Sequence, residues 1–352
     1  MPIWLMPIVG GFLVCFALTP VIQAIARRFS LYDMPGQLKT HALPTPRLGG
    51  VALMGGLLIA NFLAPPSERA PSVWMMSLAV VWLVGLVDDL RGTPALLRLV
   101  VQLFCGGALW FGGLRLHWFS TAALDLLTTA VFVALVINSF NLLDGMDGLA
   151  LIVAMGAGIG FIGLTSSSQV GPTWWLSAAT LAIAAAMFIY NQPPATIFIG
   201  DSGSTLLGAI FALLCLAWGG VGSSTHSALT PTIFLGVPLA DAVAAIVRRV
   251  RGGRSPFSGD RRHFYDLLRA KGWPVGKILL ATAGMTLSLV ALSFAMLRSG
   301  FDARIALVPL AITSFLCGAR LHSFAPQKAS STEPKPSPEQ PANSLTMVAD
   351  RG

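Results

Sequence analysis

The sequence predicts an all-α fold: a polytopic integral membrane helix bundle of about eleven transmembrane helices, with the N-terminus outside and the C-terminus cytoplasmic. Three observations carry that expectation. Of 352 residues, 55% are hydrophobic and only 11% are charged, where soluble domains reach about a quarter charged; mean hydropathy is +0.73. Apolar runs of roughly 17 to 25 residues, enough to cross a hydrocarbon core of about 30 Å, recur with short polar breaks between them. When the loops are assigned alternately to two sides, all of the 23 Lys and Arg except Arg69, Arg115, Arg298 and Arg304 fall on one side, which marks that side as cytoplasmic.

The expected spans follow in order. The first, 3–25, has no basic leader and no small-residue cleavage site, and reads as a retained span rather than a signal peptide. A basic loop containing PTPRLGG (44–50) leads into the second, 48–64. The third, 72–87, ends in VDDLRG, and the fourth is 94–112. The fifth, 121–138, runs into INSFNLLDGMDGLA (137–150), followed by 149–165 and 173–190. NQPPATIFIGDSGS (191–204) introduces 203–219, and 230–247 ends in RRVRGGRSPFSGDRRHFY (248–265). Spans 276–297 and 303–319 close the membrane domain, taken as 1–321. The remainder, 322–352, is rich in Pro and Ser without apolar periodicity, and is expected to be a disordered cytoplasmic tail.

Topology accounts for the net charge of +8, so a nucleic-acid partner is not needed to explain it. Cys15, Cys105, Cys215 and Cys317 all fall within predicted spans, which argues for small apolar packing residues and against a disulfide framework.

The acidic residues break the pattern. The Glu residues lie in an outer loop or the tail, whereas most Asp residues fall at the cytoplasmic side, amid the positive charge. A merely topogenic surface gives carboxylates no reason to gather there. Asp88 and Asp89, then Asn138, Asn141, Asp144 and Asp147, then Asp201, then the basic loop with Arg261, Arg262 and His263 all join one membrane surface, where a bundle can bring them together.

Carboxylates with nearby amide oxygens suit a hard divalent cation. Mg²⁺ keeps several waters and binds through one or two carboxylates plus substrate phosphates. Asp201 is the leading ligand candidate, since flanking Gly200 and Gly203 permit close backbone approach and the following helix offers its positive end to an anion. Arg and His side chains opposite would hold phosphate oxygens. Asp241, inside a span and about two helical turns before Arg248, is a functional candidate as an intramembrane carboxylate. Each motif alone also has a plain reading: LDGMDG as a turn at a helix start, VDDLRG as a solvated helix end, GDSGS as a Gly-rich turn and the basic loop as topogenic charge. Only their joint placement on one face points to a diphosphate site.

Together VDDLRG, NSFNLLDGMDGLA, IFIGDSGS, RRVRGGRSPFSGDRRHFY and PTPRLGG resemble, in order and from about Pro20 to Trp273, the polyprenyl-phosphate N-acetylhexosamine-1-phosphate transferases of glycosyltransferase family 4. That resemblance implies eleven spans and an active site on the cytoplasmic face of the bacterial inner membrane. The implied reaction is transfer of an amino-sugar 1-phosphate from a UDP-sugar to undecaprenyl phosphate with release of UMP. Mg²⁺ is the implied cofactor, with Mn²⁺ as a substitute, and the implied role is initiation of O-antigen or related cell-envelope glycan synthesis. By the same resemblance, Asp201 is the metal ligand, Asn141 is a second contact to metal or diphosphate, and Asp88 and Asp89 lie near the lipid phosphate and metal, where one of them orients or deprotonates the acceptor; Asp88, Asp89, Asp201 and His263 are the expected catalytic residues. Asp144 and Asp147 lie toward the nucleotide, and Asn138 and Asp241 are further substrate-binding candidates. His263, Arg261 and Arg262 hold the donor diphosphate or sugar.

One departure bears on specificity. Members acting on UDP-N-acetylglucosamine or UDP-muramoyl-pentapeptide often carry clustered histidines in the last loop, whereas here His263 is followed by Phe264, Tyr265 and Asp266. This pattern is closer to members using UDP-N-acetyl-6-deoxyhexosamines, so both UDP-N-acetylhexosamine and the 6-deoxy donors stay open, and a muramoyl-pentapeptide donor is disfavoured. Oligomeric state is open, a homodimer included. A CDP-dependent phosphatidyltransferase is disfavoured because GLALIVAMGAGIGFIG after Asp147 lacks the further Arg and Asp its motif requires. A transporter or flippase of sugars or lipid-linked sugars would place polar groups near the bilayer midplane, often on repeated halves; only Asp241 fits that pattern.

Overall fold

Residues 5–34, 44–165, 171–221, 229–256 and 262–299 are described by the structure, a computed structural model. The expected span 303–319, the tail 322–352 and Arg261 lie outside the described residues. The helices are Met6–Arg28 (α1), Gly49–Leu63 (α2), Ser72–Arg91 (α3), Ala95–Phe111 (α4), Ala122–Leu143 (α5), Leu149–Leu164 (α6), Pro172–Asn191 (α7), Gly200–Val221 (α8), Leu229–Thr232 (α9), Gly236–Arg251 (α10), Phe264–Ala270 (α11) and Val275–Ser299 (α12). Tyr32–Asp33 (β1) and Thr45–Pro46 (β2) form a short antiparallel pair.

Among the described residues, seven helical stretches are long and apolar enough to cross a membrane: α1, α3, α5, α7, α8, α12 and the continuous stretch Thr230–Arg251 that runs from α9 into α10. The apolar helices α2, α4 and α6 are shorter. At about 1.5 Å per residue, the 15 residues of α2 and 16 of α6 reach roughly 23 Å, less than the hydrocarbon thickness. The polytopic helical architecture follows from this set of helices.

α8 is the axial helix. It contacts α2, α3, α5 and α7, and 94% of its most apolar window is buried, against 22% for α1 and 33% for α12. An aromatic column runs through the interior: Phe140 of α5 stacks on Phe211 of α8 at 5.3 Å, Phe211 meets Phe161 of α6 at 5.9 Å, and Phe161 meets Phe234 edge-on at 5.3 Å. Such pairs add geometric preference to simple burial. Large apolar side chains such as Phe104, Phe111 and Leu280 are three-quarters exposed on the periphery, as expected of surfaces that meet lipid rather than water.

α3, α5 and α8 reach beyond their expected apolar spans at the acidic motifs, and each extension carries polar residues. α3 continues to Arg91 and takes in Asp88 and Asp89. α5 continues past Asn138 to Leu143 and takes in Asn141, and α8 begins at Gly200, so Asp201 sits in its first turn. Hydropathy stops at the first polar residue. The backbone continues because those side chains find partners on neighbouring helices.

Candidate active site

The site is organised around the first turn of α8. Gly200 has φ +70°, a left-handed conformation that glycine adopts without a Cβ penalty; a Cβ there would lie 2.5 Å from Asp89 Oδ1. Asp89 uses that opening. Its Oδ1 accepts from the Asp201 backbone N–H at 2.8 Å, and its Oδ2 accepts from the Ser202 N–H at 3.0 Å and the Ser202 hydroxyl at 2.5 Å. Asp89 thus caps α8 from α3, satisfying helix-end donors as a capping side chain within α8 would.

Asp88, one residue earlier, faces other partners. Its Oδ1 accepts from the Thr93 N–H at 2.5 Å and the Thr93 hydroxyl at 2.7 Å, and its Oδ2 pairs with Arg98 Nη1. The same Arg98 nitrogen lies 3.4 Å from Asp201 Oδ2. Asn141 Nδ2 donates to Asp201 Oδ1 and to Ser204 Oγ, the latter at 3.1 Å. One guanidinium therefore spans two carboxylates, with an amide fixing the second.

The PTPRLGG segment is built into the same turn. Phe198 N–H donates to Pro46 O at 2.8 Å, while Gly49 and Gly50 N–H donate to Phe198 O and Ile199 O at 3.0 and 2.9 Å. Gly50 must lack a side chain, because a Cβ would sit 2.3 Å from the Gly203 nitrogen. Arg47 Nη1 lies 3.9 Å from Asp33 Oδ1, so the segment also reaches back to β1.

The DGMDG loop between α5 and α6 is tied down by a residue that sequence reasoning passed over. Asn191, buried at the end of α7, accepts from the Gly148 N–H at 3.0 Å and donates to Ile197 O at 2.8 Å. Asp147 Oδ2 accepts from the Ala195 N–H at 3.0 Å. The only hint was an Asn closing an apolar span just before a Pro pair. Burial pushes the Asp144 carboxyl well above the usual carboxylate range, and repulsion from Asp201, Asp89 and Asp147 adds to it.

On the far wall Asp241 and His263 form a buried pair, Nδ1 to Oδ2 2.5 Å, and Asp241 Oδ1 accepts from the Phe264 N–H at 3.0 Å. Both oxygens of Asp241 thus have partners within the protein, one on the His263 ring and one on the Phe264 backbone. His263 also caps α11 reciprocally with Asp266. It stacks on Tyr265 at 5.5 Å, and the Tyr265 hydroxyl donates to Leu142 O at 3.3 Å, joining this wall to the end of α5. Asn138 donates to Gln102 Oε1 at 2.5 Å and to Ala134 O at 2.7 Å, linking α4 to α5. Arg262 is half-buried just ahead of His263.

A cavity of about 380 Å³ lies among α4, α5 and α10. Arg98, Asn141 and Arg249 are among its polar lining, while Leu103, Val131 and Leu135 are among its apolar lining. Among the described residues no three His, Cys, Asp or Glu side chains converge as a closed metal cage. Asp201 and Asp88 instead offer hard oxygen donors beside a groove. That donor set fits a cation that completes its shell with water and phosphate rather than with protein.

Comparison with known proteins agrees with this chemistry. Residues 71–219 match the family described as glycosyl transferase family 4. The chain is 31% identical over 309 residues to the decaprenyl-phosphate N-acetylglucosaminephosphotransferase of Mycobacterium leprae, covering 76% of this chain and 77% of that protein. It is 29% identical over 272 residues to a probable undecaprenyl-phosphate N-acetylglucosaminyl 1-phosphate transferase of Bacillus subtilis, covering 72% and 74%. It is also 29% identical over 291 residues to an undecaprenyl-phosphate alpha-N-acetylglucosaminyl 1-phosphate transferase of Thermotoga maritima, covering 80% and 88%.

Proposed function

Because the chain belongs to glycosyl transferase family 4, we propose that it is a membrane phosphotransferase carrying N-acetylhexosamine 1-phosphate from a UDP-sugar to a polyprenyl phosphate, with release of UMP. The observation that supports this reading most is the Asp88–Arg98–Asp201 cluster beside the apolar groove. A charged head and a long isoprenoid tail need that juxtaposition, with polar groups for the phosphate and aliphatic side chains for the chain. UDP-N-acetylglucosamine is the first donor to test, since the named relatives are N-acetylglucosamine transferases; the HFYD sequence after Arg262 keeps 6-deoxyhexosamine donors in the panel.

In the reaction an oxygen of the lipid phosphate bonds to the β-phosphorus of the donor. The bond from that phosphorus to the bridging oxygen breaks, and UMP leaves with the electron pair. A phosphate monoester with a second pKa of about 6 is mostly dianionic at pH 7, so deprotonation is a minor demand. Repulsion between two phosphate groups is the larger one, and in-line positioning by fixed charges offsets it. Arg98 and Arg249 supply such charges at the groove. Asp88 orients Arg98, Asn141 fixes Asp201, and Asp241 holds His263 toward the donor side. Mg²⁺ or Mn²⁺, held by Asp201 with substrate phosphate and water, would neutralise charge on the diphosphate.

The full topology belongs to the same reading: eleven spans, N-terminus outside, membrane domain 1–321 ahead of a cytoplasmic tail, and a site on the cytoplasmic face of the bacterial inner membrane. Initiation of O-antigen or a similar envelope glycan is the corresponding role. The test is UMP release by purified protein given undecaprenyl phosphate and a panel of UDP-amino sugars, with and without EDTA. Sugar-dependent, EDTA-sensitive release is expected. A transporter would release none, and EDTA-insensitive release would remove the metal assignment.

A further inference from the structure

Arg98 belongs to the set of charges that topology alone explained, yet it occupies the centre of the acidic cluster. It stands in the first turn of α4. One of its guanidinium nitrogens, Nη1, serves both Asp88 Oδ2 and Asp201 Oδ2, and its side chain also lines the groove among α4, α5 and α10. It therefore sits between two carboxylates on one side and an apolar channel on the other.

Resting on the function proposed above, we infer that Arg98 is a mobile counter-ion that couples divalent-cation binding to lipid-phosphate binding. A guanidinium and a divalent cation compete for carboxylate oxygens, so a cation held by Asp201 would weaken the hold of that carboxylate on Arg98 and free the guanidinium to turn toward the groove. Asp88 does not depend on Arg98 for its place, because Thr93 holds its other oxygen through two hydrogen bonds. The released guanidinium lies beside the groove, where the head of a polyprenyl phosphate entering along Leu103, Val131 and Leu135 would arrive. Arginine is suited to that exchange, since its planar fork pairs with carboxylate and phosphate alike and stays charged throughout. Each ligand removes the competitor of the other, and linkage makes the effect reciprocal.

The measurement is Mn²⁺ affinity of the full-length protein in nanodiscs, followed by the electron paramagnetic resonance signal of free Mn²⁺, for wild type, Arg98→Met and Arg98→Lys. Undecaprenyl phosphate should tighten Mn²⁺ binding to the wild type by at least about fivefold, within the usual range of coupling between sites. Arg98→Met should bind Mn²⁺ about tenfold more tightly than wild type without lipid and lose the lipid effect, while Arg98→Lys keeps part of it. Thermal unfolding within a few degrees of wild type confirms that the variants fold, and the Lys variant carries the test if the Met variant does not. Unchanged or weaker Mn²⁺ binding by a folded Arg98→Met protein, or a lipid effect that survives there, overturns the inference and leaves the proposed function standing. An Arg98-dependent effect produced by UDP-N-acetylglucosamine instead of the lipid overturns the assignment of the phosphate. No Mn²⁺ binding by the wild type removes the metal reading and this inference together.

Discussion

At its N-terminal end α5 buries Asp125, whose Oδ2 accepts from the Trp110 indole N–H at 2.9 Å and whose Oδ1 accepts from the Trp118 backbone N–H at 3.1 Å. At its C-terminal end the same helix carries Asn141 and Asp144 into a group of carboxylates that includes Asp89, Asp147 and Asp201. The first carboxylate is matched oxygen by oxygen to neutral N–H donors and fastens the segment before α5 to α4. In the second group, acidic charge is packed together and the Arg98 guanidinium is shared between Asp88 and Asp201. Saturated carboxylates hold a fold together; crowded ones attract cations and phosphate chemistry.

Substitutions at the two ends should separate these roles. The largest effect is expected for Asp201→Asn, which removes the charge while keeping the shape: UMP release should fall by about 10²–10³-fold or more with little change in melting temperature. Asp125→Ala should do the reverse, destabilising the protein by about 1–3 kcal/mol through its unpaired donors while leaving UMP release within a few-fold. Comparable activity losses at both positions would dissolve the contrast.

Asp89 tests the boundary between the two classes, since it lies in the acidic group yet is saturated by Asp201 and Ser202. Asp89→Ala should lower stability by about 3 kcal/mol or more and activity with it, because the first turn of α8 loses its cap. A melting temperature equal to wild type with activity lost would instead make Asp89 a direct participant. A smaller effect is expected from pH. The folded state favours protonated Asp144, so the stability it contributes is full below the ordinary carboxylate pKa of about 4 and is lost as pH rises through the raised value. Metal-free protein should therefore melt at lower temperature at pH 8 than at pH 5, and Mg²⁺ should flatten that slope. A stability that rises over this range would contradict the crowding described at this end. Tyr265→Phe should have the smallest effect, about 1 kcal/mol, from the lost hydrogen bond to Leu142 O.

Much of this was legible in the sequence. Hydropathy located the long helices, and alternating the loops between two sides puts VDDLRG, NSFNLLDGMDG and GDSGS on the same one; in the structure Asp89, Asn141 and Asp201 of these motifs meet. Direction was not legible. Adjacent residues Asp88 and Asp89 point to different partners, and only the packing of α3 against α8 decides which caps and which pairs with Arg98. Arg98 itself was hidden because a basic residue at a membrane edge already had a sufficient explanation. Asn191 was hidden because it works through Gly148 and Ile197, distant from the motif it supports. Asp241 was flagged as a buried charge, but its partner His263 lies on a loop whose path no periodicity describes.

The most direct test follows the β-phosphorus. Purified protein given UDP-N-acetylglucosamine labelled with ³²P at the β-position, together with undecaprenyl phosphate and Mg²⁺, should transfer the label to the organic phase while unlabelled UMP appears in the aqueous phase. Asp201→Asn should leave the label with the nucleotide, and Asp125→Ala should still move it. Label retained in released UDP, with sugar alone passing to the lipid, would contradict a sugar-1-phosphate transferase.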